Sequence, residues 1–361
     1  MSEPRNNNFD LLRFVAALFV LIHHSIALTG TAWYSIWGML GVGIFFLISG
    51  YLITQSWIGN PEILQFLWKR ILRIVPALFI VCLFAVLIIG PFTTVIPLNQ
   101  YFTNTSTYKY MEASSVFYLD NWGLPGVFEN NPYPIAVNGS LWTLPLEFKM
   151  YILIAIFGVI GLLFRRTTVL ALGIGSLFLY ACMLSLNNSI AFKTYDFLNR
   201  IGIVSIFSPI IQLDTINVFY FYPILFIIGS AFYLYRDKIK FKHSIGIPLI
   251  ISLIAGIFYF KPNDPILNII IIIVLPYVVF YIAQIKCSLN NFGKYGDFSY
   301  GMYIFAFPIQ QTIALKIPGL NPISFFLISF PVTFVFAFLS WHIIEKRALK
   351  YKNFEFPRLP I

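Results

Sequence analysis

Apolar runs of about twenty residues recur along the whole chain, separated by short polar stretches. About 30 Å of hydrocarbon is crossed by roughly twenty helical residues, so runs of this length suit a bilayer better than a water-facing core. The pattern predicts helical spans at 10–29, 38–57, 72–92, 140–163, 167–186, 217–235, 244–260, 265–285, 298–316 and 322–343. Low-complexity tracts and internal repeats are not evident. The expected fold class is all-α: one polytopic membrane helix bundle over residues 1–361, with about ten transmembrane helices. A re-entrant or missed segment fits best at 187–216.

Composition strengthens that reading. Of the 361 residues 59% are hydrophobic and 11% charged, whereas a soluble domain carries about 25% charge. The 39 Phe, 21 Tyr and 7 Trp suit helices that face acyl chains and anchor at headgroups. A net charge of +10 raises the question of nucleic acid, but the basic residues fall in short clusters between spans with no continuous stripe. Topology explains them better. With the N-terminus inside, 18 of the 24 Lys and Arg residues lie on the cytoplasmic side, as the positive-inside rule requires. The other six are Lys109, Lys149, Lys193, Arg200, Lys261 and Lys316. An even number of spans then places the C-terminus in the cytoplasm as well. Cys82, Cys182 and Cys287 lie far apart, in or beside apolar runs, and read as packing residues rather than a disulfide or zinc framework. The first apolar run contains Arg13 and two histidines and lacks the usual small-residue cleavage site of a signal peptide. The longest connection, about 93–139, is rich in Asn, Thr, Tyr and Pro and falls outside; a mouth for a hydroxyl-rich ligand and a merely covering loop both fit it.

Ionisable side chains within a span are costly and mark candidate functional positions. In FDLLRFVAALFVLIHHS, Arg13 and His24 are eleven residues apart, three turns plus about 20°. They share one stripe, with His24 about 16 Å further along, and Asp10 lies one turn before Arg13 and can pair with it. The plain alternative is a snorkelling arginine and a histidine satisfied by a neighbouring helix. His23 points about 100° away and reads as packing or support. In FLWKRILRIVP, Arg70 and Arg73 are one turn apart with Lys69 alongside. An ordinary cytoplasmic anchor fits. A cationic mouth for a phosphate-rich ligand fits too, since guanidinium pairs bidentately with phosphate.

In NGSLWTLPLEFKMY, Ser140 and Glu147 are seven residues apart and are predicted to share a helical stripe, loosened between them by Pro145. Lys149 at i+2 faces away, so a histidine on a neighbouring helix is the better candidate partner for Glu147. A structural counter-ion is the alternative. GMLGVGIFFLISGYLI packs Gly41, Gly43 and Gly50 with Ser49, which allows close helix approach. GDFSYGMYIFAFPIQQ places Tyr300, Tyr303, Gln310 and Gln311 in or near the membrane, either lining a polar cavity or joining helices.

Together these segments resemble acyltransferase family 3. Arg13 and His24 match its Arg/Lys-X10-His signature, preceded by Asp10, and GVGIFFLISGYLI is similar to its second-span motif. KRILRIVP resembles its Arg-x-x-Arg motif, SLWTLPLEFKMY its Ser-Leu-Trp…Glu…Tyr motif, GDFSYGMYIFAFPIQQ its Ser-Tyr-x-x-Tyr segment, and WHIIEKR its closing Glu block. The six motifs occur in the family's order over roughly residues 6–350. Two positions depart from it: Ala306 stands where many members have His, and Gly43 where an acidic residue is common. The resemblance is to the stand-alone type, without a fused extracytoplasmic esterase-like domain.

That resemblance implies transfer of an acyl group, usually acetyl from cytoplasmic acetyl-CoA as co-substrate, to a hydroxyl of an extracytoplasmic or lipid-linked glycan in the bacterial cytoplasmic (inner) membrane. Arg70, Arg73 and Lys69, with Arg13, would then hold the CoA phosphates. His24 would act as general base or transient acyl carrier, Glu147 would fix its tautomer, and Asp10, Ser49, Ser140 and Tyr300 would support them. Neither a metal nor a nucleic-acid partner is expected. The competing readings are a transporter or exporter of a glycan or small solute, since kinked polar-lined helices serve that too, and a sensor or scaffold without chemistry.

Overall fold

The computed structural model describes residues 7–32, 35–116, 122–185, 216–262, 264–286 and 288–354. Ten helices of 17 residues or more are present among them, and no strand: α1 Phe9–Ala27, α2 Ile36–Gly59, α3 Ile63–Phe84, α4 Thr143–Val159, α5 Arg166–Ser185, α6 Ile216–Leu234, α7 His243–Tyr259, α8 Pro265–Gln284, α9 Ser299–Lys316 and α10 Pro322–Leu339. Each lies over one of the apolar segments read from the sequence. Five are long and apolar enough by length and composition to cross a membrane: α1, α2, α3 with its extension to Thr93, α8, and α10 with its extension to Asn353. The expectation for 187–216 lies outside the described residues, except at Ile216.

Local chemistry sets the helix ends. Asp264 and Asn321 cap α8 and α10, their side chains accepting from the backbone N–H of Ile266 and Ser324 at 2.9 Å, and each is followed by a proline in the first turn. α3 and α10 each continue past a π-helical stretch, Ala85–Ile89 and Ser340–Glu345. Two sequence-based boundaries are corrected. α3 starts at Ile63, nine residues ahead of the predicted 72, so Lys69, Arg70 and Arg73 sit inside it. α4 starts at Thr143, so Ser140 lies in the turn before the helix and shares no helical stripe with Glu147. Pro145 falls in the first turn of α4, where its missing N–H breaks no intrahelical bond, and so loosens nothing.

α2 is the central helix, 72% of its apolar window buried against 28% for the window of α10. Glycines bring its neighbours in. A Cβ on Gly41 would stand 2.6 Å from the Ala16 carbonyl oxygen of α1. Cβ atoms on Gly50 and Gly229 would stand 2.0 Å from the Phe226 carbonyl oxygen and 2.2 Å from that of Leu47, so α2 and α6 cross backbone to backbone. Gly43 instead meets side chains, those of Leu225 and Leu275. The outward faces of α7 and α10 carry bare apolar side chains, among them Phe258 at 87% and Ile323 at 73% exposure, a surface that acyl chains and not water would cover. The connection between α3 and α4 is partly helical, with Leu98–Thr103, Thr105–Lys109 and Tyr110–Ser115.

Candidate active site

His24 lies in the last turn of α1, 7% exposed, with its ring edge-on to Phe307 of α9 at 4.9 Å between centroids. Its Nδ1 is buried without a hydrogen-bond partner among the described residues. The neighbouring His23 is held elsewhere, its Nδ1 2.9 Å from Ser35 Oγ and its ring against Gly38. Gln310 ties α9 to the same turn of α1, its Nε2 donating to the Leu21 carbonyl at 3.1 Å and to Ser25 Oγ at 3.0 Å. The next residue, Gln311, turns toward the connection before α4. Its Nε2 donates to the carbonyls of Tyr133 and Ala136, both at 2.7 Å, and its Oε1 accepts from Asn131 at 2.7 Å.

The turn ahead of α4 closes over Phe307. A Cβ on Gly139 would come within 2.7 Å of that ring, and Asn138 Nδ2 donates to the Ile304 carbonyl at 2.8 Å. Ser140 is 1% exposed; its carbonyl accepts from the Tyr303 hydroxyl at 2.6 Å, while its own Oγ is buried without a partner among the described residues. Two unpartnered polar atoms, His24 Nδ1 and Ser140 Oγ, therefore belong to chain segments that pack on the same Phe307 ring. Buried polar groups are paired as a rule, so each of these two exceptions calls for a partner or a role.

Glu147 is half-buried on α4, and its partners are not histidines. Its Oε1 accepts from Ser49 Oγ of α2 at 2.8 Å and from the Tyr151 hydroxyl one turn further along α4. Ser49 and Glu147, both singled out from the sequence, are thus brought together, but no hydrogen bond joins Glu147 to His24.

A second cluster forms at the Arg13 end of α1. Arg13 pairs with Asp10 and, at 3.2 Å, with Asp297. Arg73 of α3 reaches the same Asp297 Oδ2 at 2.6 Å and Glu345 at 3.3 Å, and its guanidinium lies over the rings of Tyr300 and Trp341. Tyr300 in turn donates to the Ile74 carbonyl at 2.9 Å. Burial opposes the Asp297 carboxylate, but Arg13 and Arg73 outweigh it and, with the Ser299 hydroxyl, hold the carboxyl well below its ordinary range. The expected phosphate-binding face thus divides. Arg73 is engaged by carboxylates, whereas Arg70 turns to Ser56 Oγ at 2.7 Å and stacks over Phe66. Close to Lys69, Gln65 and Trp68 donate to the backbone carbonyls of Lys352 and Tyr351 at 2.6 and 3.0 Å, docking the basic segment after α10 onto α3.

Sequence reasoning missed Asp297, Glu345 as the partner of Arg73, and Phe307. A carboxylate two residues ahead of a helical serine carries a capping signal that points to Asp297. A lone Phe among 39 carries none. Among the described residues no three His, Cys, Asp or Glu side chains group as metal ligands.

The model of a family described as an acyltransferase domain matches residues 6–342. The chain is 28% identical over 355 residues to the O-acetyl transferase of Shigella phage Sf6, covering 96% of each. It is 25% identical over 381 residues to nodulation protein 10 of Rhizobium leguminosarum bv. viciae, covering 98% of this chain and 95% of that one. A shorter match, 31% over 163 residues, joins 42% of this chain to 25% of the O-acetyltransferase OatA of Staphylococcus aureus. No solved structure matches.

Proposed function

This chain belongs to acyltransferase family 3 and is an acyltransferase enzyme, and on that premise we propose that it moves an acetyl group from cytoplasmic acetyl-CoA to a hydroxyl of an extracytoplasmic or lipid-linked glycan. The observation that carries this reading is His24: a titratable ring buried in the bundle, with Nδ1 lacking a partner among the described residues. Two relatives that align along nearly their whole length are an O-acetyl transferase and a nodulation protein, and the first name supports acetyl as the group and oxygen as the acceptor atom. Membership in a family of enzymes favours chemistry over solute export.

In the proposed reaction the acceptor hydroxyl approaches the thioester carbonyl beside His24. The imidazole takes the hydroxyl proton as the new C–O bond forms, the C–S bond breaks, and the thiolate of CoA leaves and takes up that proton. A buried site without competing water favours transfer over hydrolysis. Ser140 Oγ, with no partner among the described residues, offers a hydroxyl to the acyl or acceptor oxygen from the turn packed on Phe307. Glu147, oriented by Ser49 and Tyr151, serves as a half-buried acceptor for sugar hydroxyls rather than as the orienter of His24. Arg70, Lys69 and the basic segment docked beside them supply positive charge for the donor phosphates. Arg13 and Arg73 contribute mainly by fixing the helices.

In this reading ten helices span the bacterial inner membrane with both termini in the cytoplasm, as the distribution of Lys and Arg supports. Donor and acceptor then meet from opposite sides, which is why the reaction needs a membrane-spanning site. Purified protein in proteoliposomes, given labelled acetyl-CoA and surface glycan, is expected to release CoA and label the glycan. His24→Ala is expected to lower the rate by two to four orders of magnitude with insertion unchanged, the span attributed to general acid–base catalysis. Unchanged glycan labelling in that variant overturns the assignment of His24.

A further inference from the structure

The ring of charges at the far end of α1 centres on one carboxylate. Asp297 Oδ2 is ion-paired with Arg13 of α1 at 3.2 Å and accepts from Arg73 of α3 at 2.6 Å. Its Oδ1 accepts from the Ser299 hydroxyl at 2.5 Å and the Ser299 backbone N–H at 3.3 Å. One side chain therefore fixes the start of α9 and, through two guanidiniums, the positions of α1 and α3. Arg73 carries the tie onward to Glu345, the last residue of the π-helical stretch that follows α10, and Glu345 is itself held by Ser340 at 2.8 Å.

Arg73 of α3 makes the shorter contact with Asp297 and Arg13 of α1 the longer, and α1 and α9 are the helices that bring His24 and Phe307 together. Arg13 and His24 are rigidly related along α1 by about 16 Å of helix. Asp297 lies two residues ahead of α9 and is hydrogen-bonded to its first residue, Ser299, from which the helix runs on to Phe307. An ion-pair tie at one end therefore sets the axial register of the histidine against the ring at the other. A buried salt bridge adds little net stability against a well-packed apolar substitute, but removing one partner is costly because it leaves a buried charge unpaired.

We propose that Asp297 is a positioning residue for acyl transfer: its shared carboxylate locks α1, α3 and α9 in the register that presents His24 to the reacting groups. The proposal rests on His24 being the reacting group, and its test keeps the two apart. In proteoliposomes, Asp297→Asn is expected to lower kcat at least tenfold and leave the donor KM within about threefold, since the donor is held elsewhere. Asp297→Glu, which keeps the charge, is expected to recover part of that kcat. Ser299→Ala removes one anchor of the same carboxylate and is expected to give a smaller loss of the same kind, a milder variant if Asp297→Asn fails to fold. If register is what Asp297 controls, Asp297→Asn with Arg73→Gln costs less than the sum of the two single changes, because the Asp297–Arg73 pair is common to both.

A readout independent of activity is the rate at which diethyl pyrocarbonate modifies His24, followed by peptide mass spectrometry. It is expected to rise several-fold in Asp297→Asn and, less, in Ser299→Ala. Wild-type kcat retained in a folded Asp297→Asn protein, or His24 modified at the wild-type rate in both variants, overturns the positioning role. Wild-type protein that releases no CoA overturns the donor reading alone, and the modification rates still decide Asp297.

Discussion

At the residue scale, hydrogen bonds separate side chains that look alike in sequence. Glu147 is held by Ser49 and Tyr151, so its geometry depends on both donors. Tyr151→Phe and Ser49→Ala are each expected to destabilise the protein by about 1–3 kcal/mol, the cost of leaving a buried polar group without its partner. Both are expected to weaken acceptor KM more than donor KM; a shift confined to donor KM places Glu147 on the CoA side instead. The sequence showed that Arg13 and His24 share a stripe, because helical period alone fixes that relation. It did not show which carboxylate meets Arg13 besides Asp10, because Asp297 is brought there by a tertiary contact. The histidine partner inferred for Glu147 failed for the same reason: cost arguments say that a buried carboxylate needs a donor, not which helix supplies it.

Helices were legible wherever an apolar run was long, and the crossings between them were legible only as glycines. Gly41, Gly43 and Gly50 look equivalent in the sequence, yet two of them abut backbone and one abuts leucine side chains. Gly50→Ala is expected to cost about 3 kcal/mol or more, the upper range for overpacking, because the Phe226 carbonyl cannot step aside. Gly43→Ala is expected to cost markedly less, since leucine side chains can repack. Unfolding in mixed detergent micelles measures both, and equal losses would contradict the backbone crossing of α2 and α6. The misplaced start of α3 has a physical cause as well. Residues 63–71 mix apolar with basic side chains, and hydropathy undercounts a helix whose cations pair or stack within the fold.

Across the whole molecule, charge joins what hydropathy leaves separate. Asp297 titrates well below an unfolded carboxylate at about 3.9, so its ionised form stabilises the native state. That contribution is complete above about pH 4 and is lost as pH falls from there through the lower native value. The advantage of the parent over Asp297→Asn in thermal stability is expected to shrink as pH falls below about 4. A gap that closes already near neutrality would mean that some other group controls it.

The tie at Asp297 and the cover over His24 also impose an order on biogenesis. Arg13 and His24 leave the ribosome among the first residues, but Asp297, Phe307, Gln311 and Glu345 come from the last quarter of the chain. Until α9 is made, the membrane holds an arginine without its second carboxylate and an imidazole without its aromatic neighbour. The proposed site is thus completed only once α9 and Glu345 have been inserted. A chain stopped before α9 would hold no such site, and so could not spend the proposed donor on water.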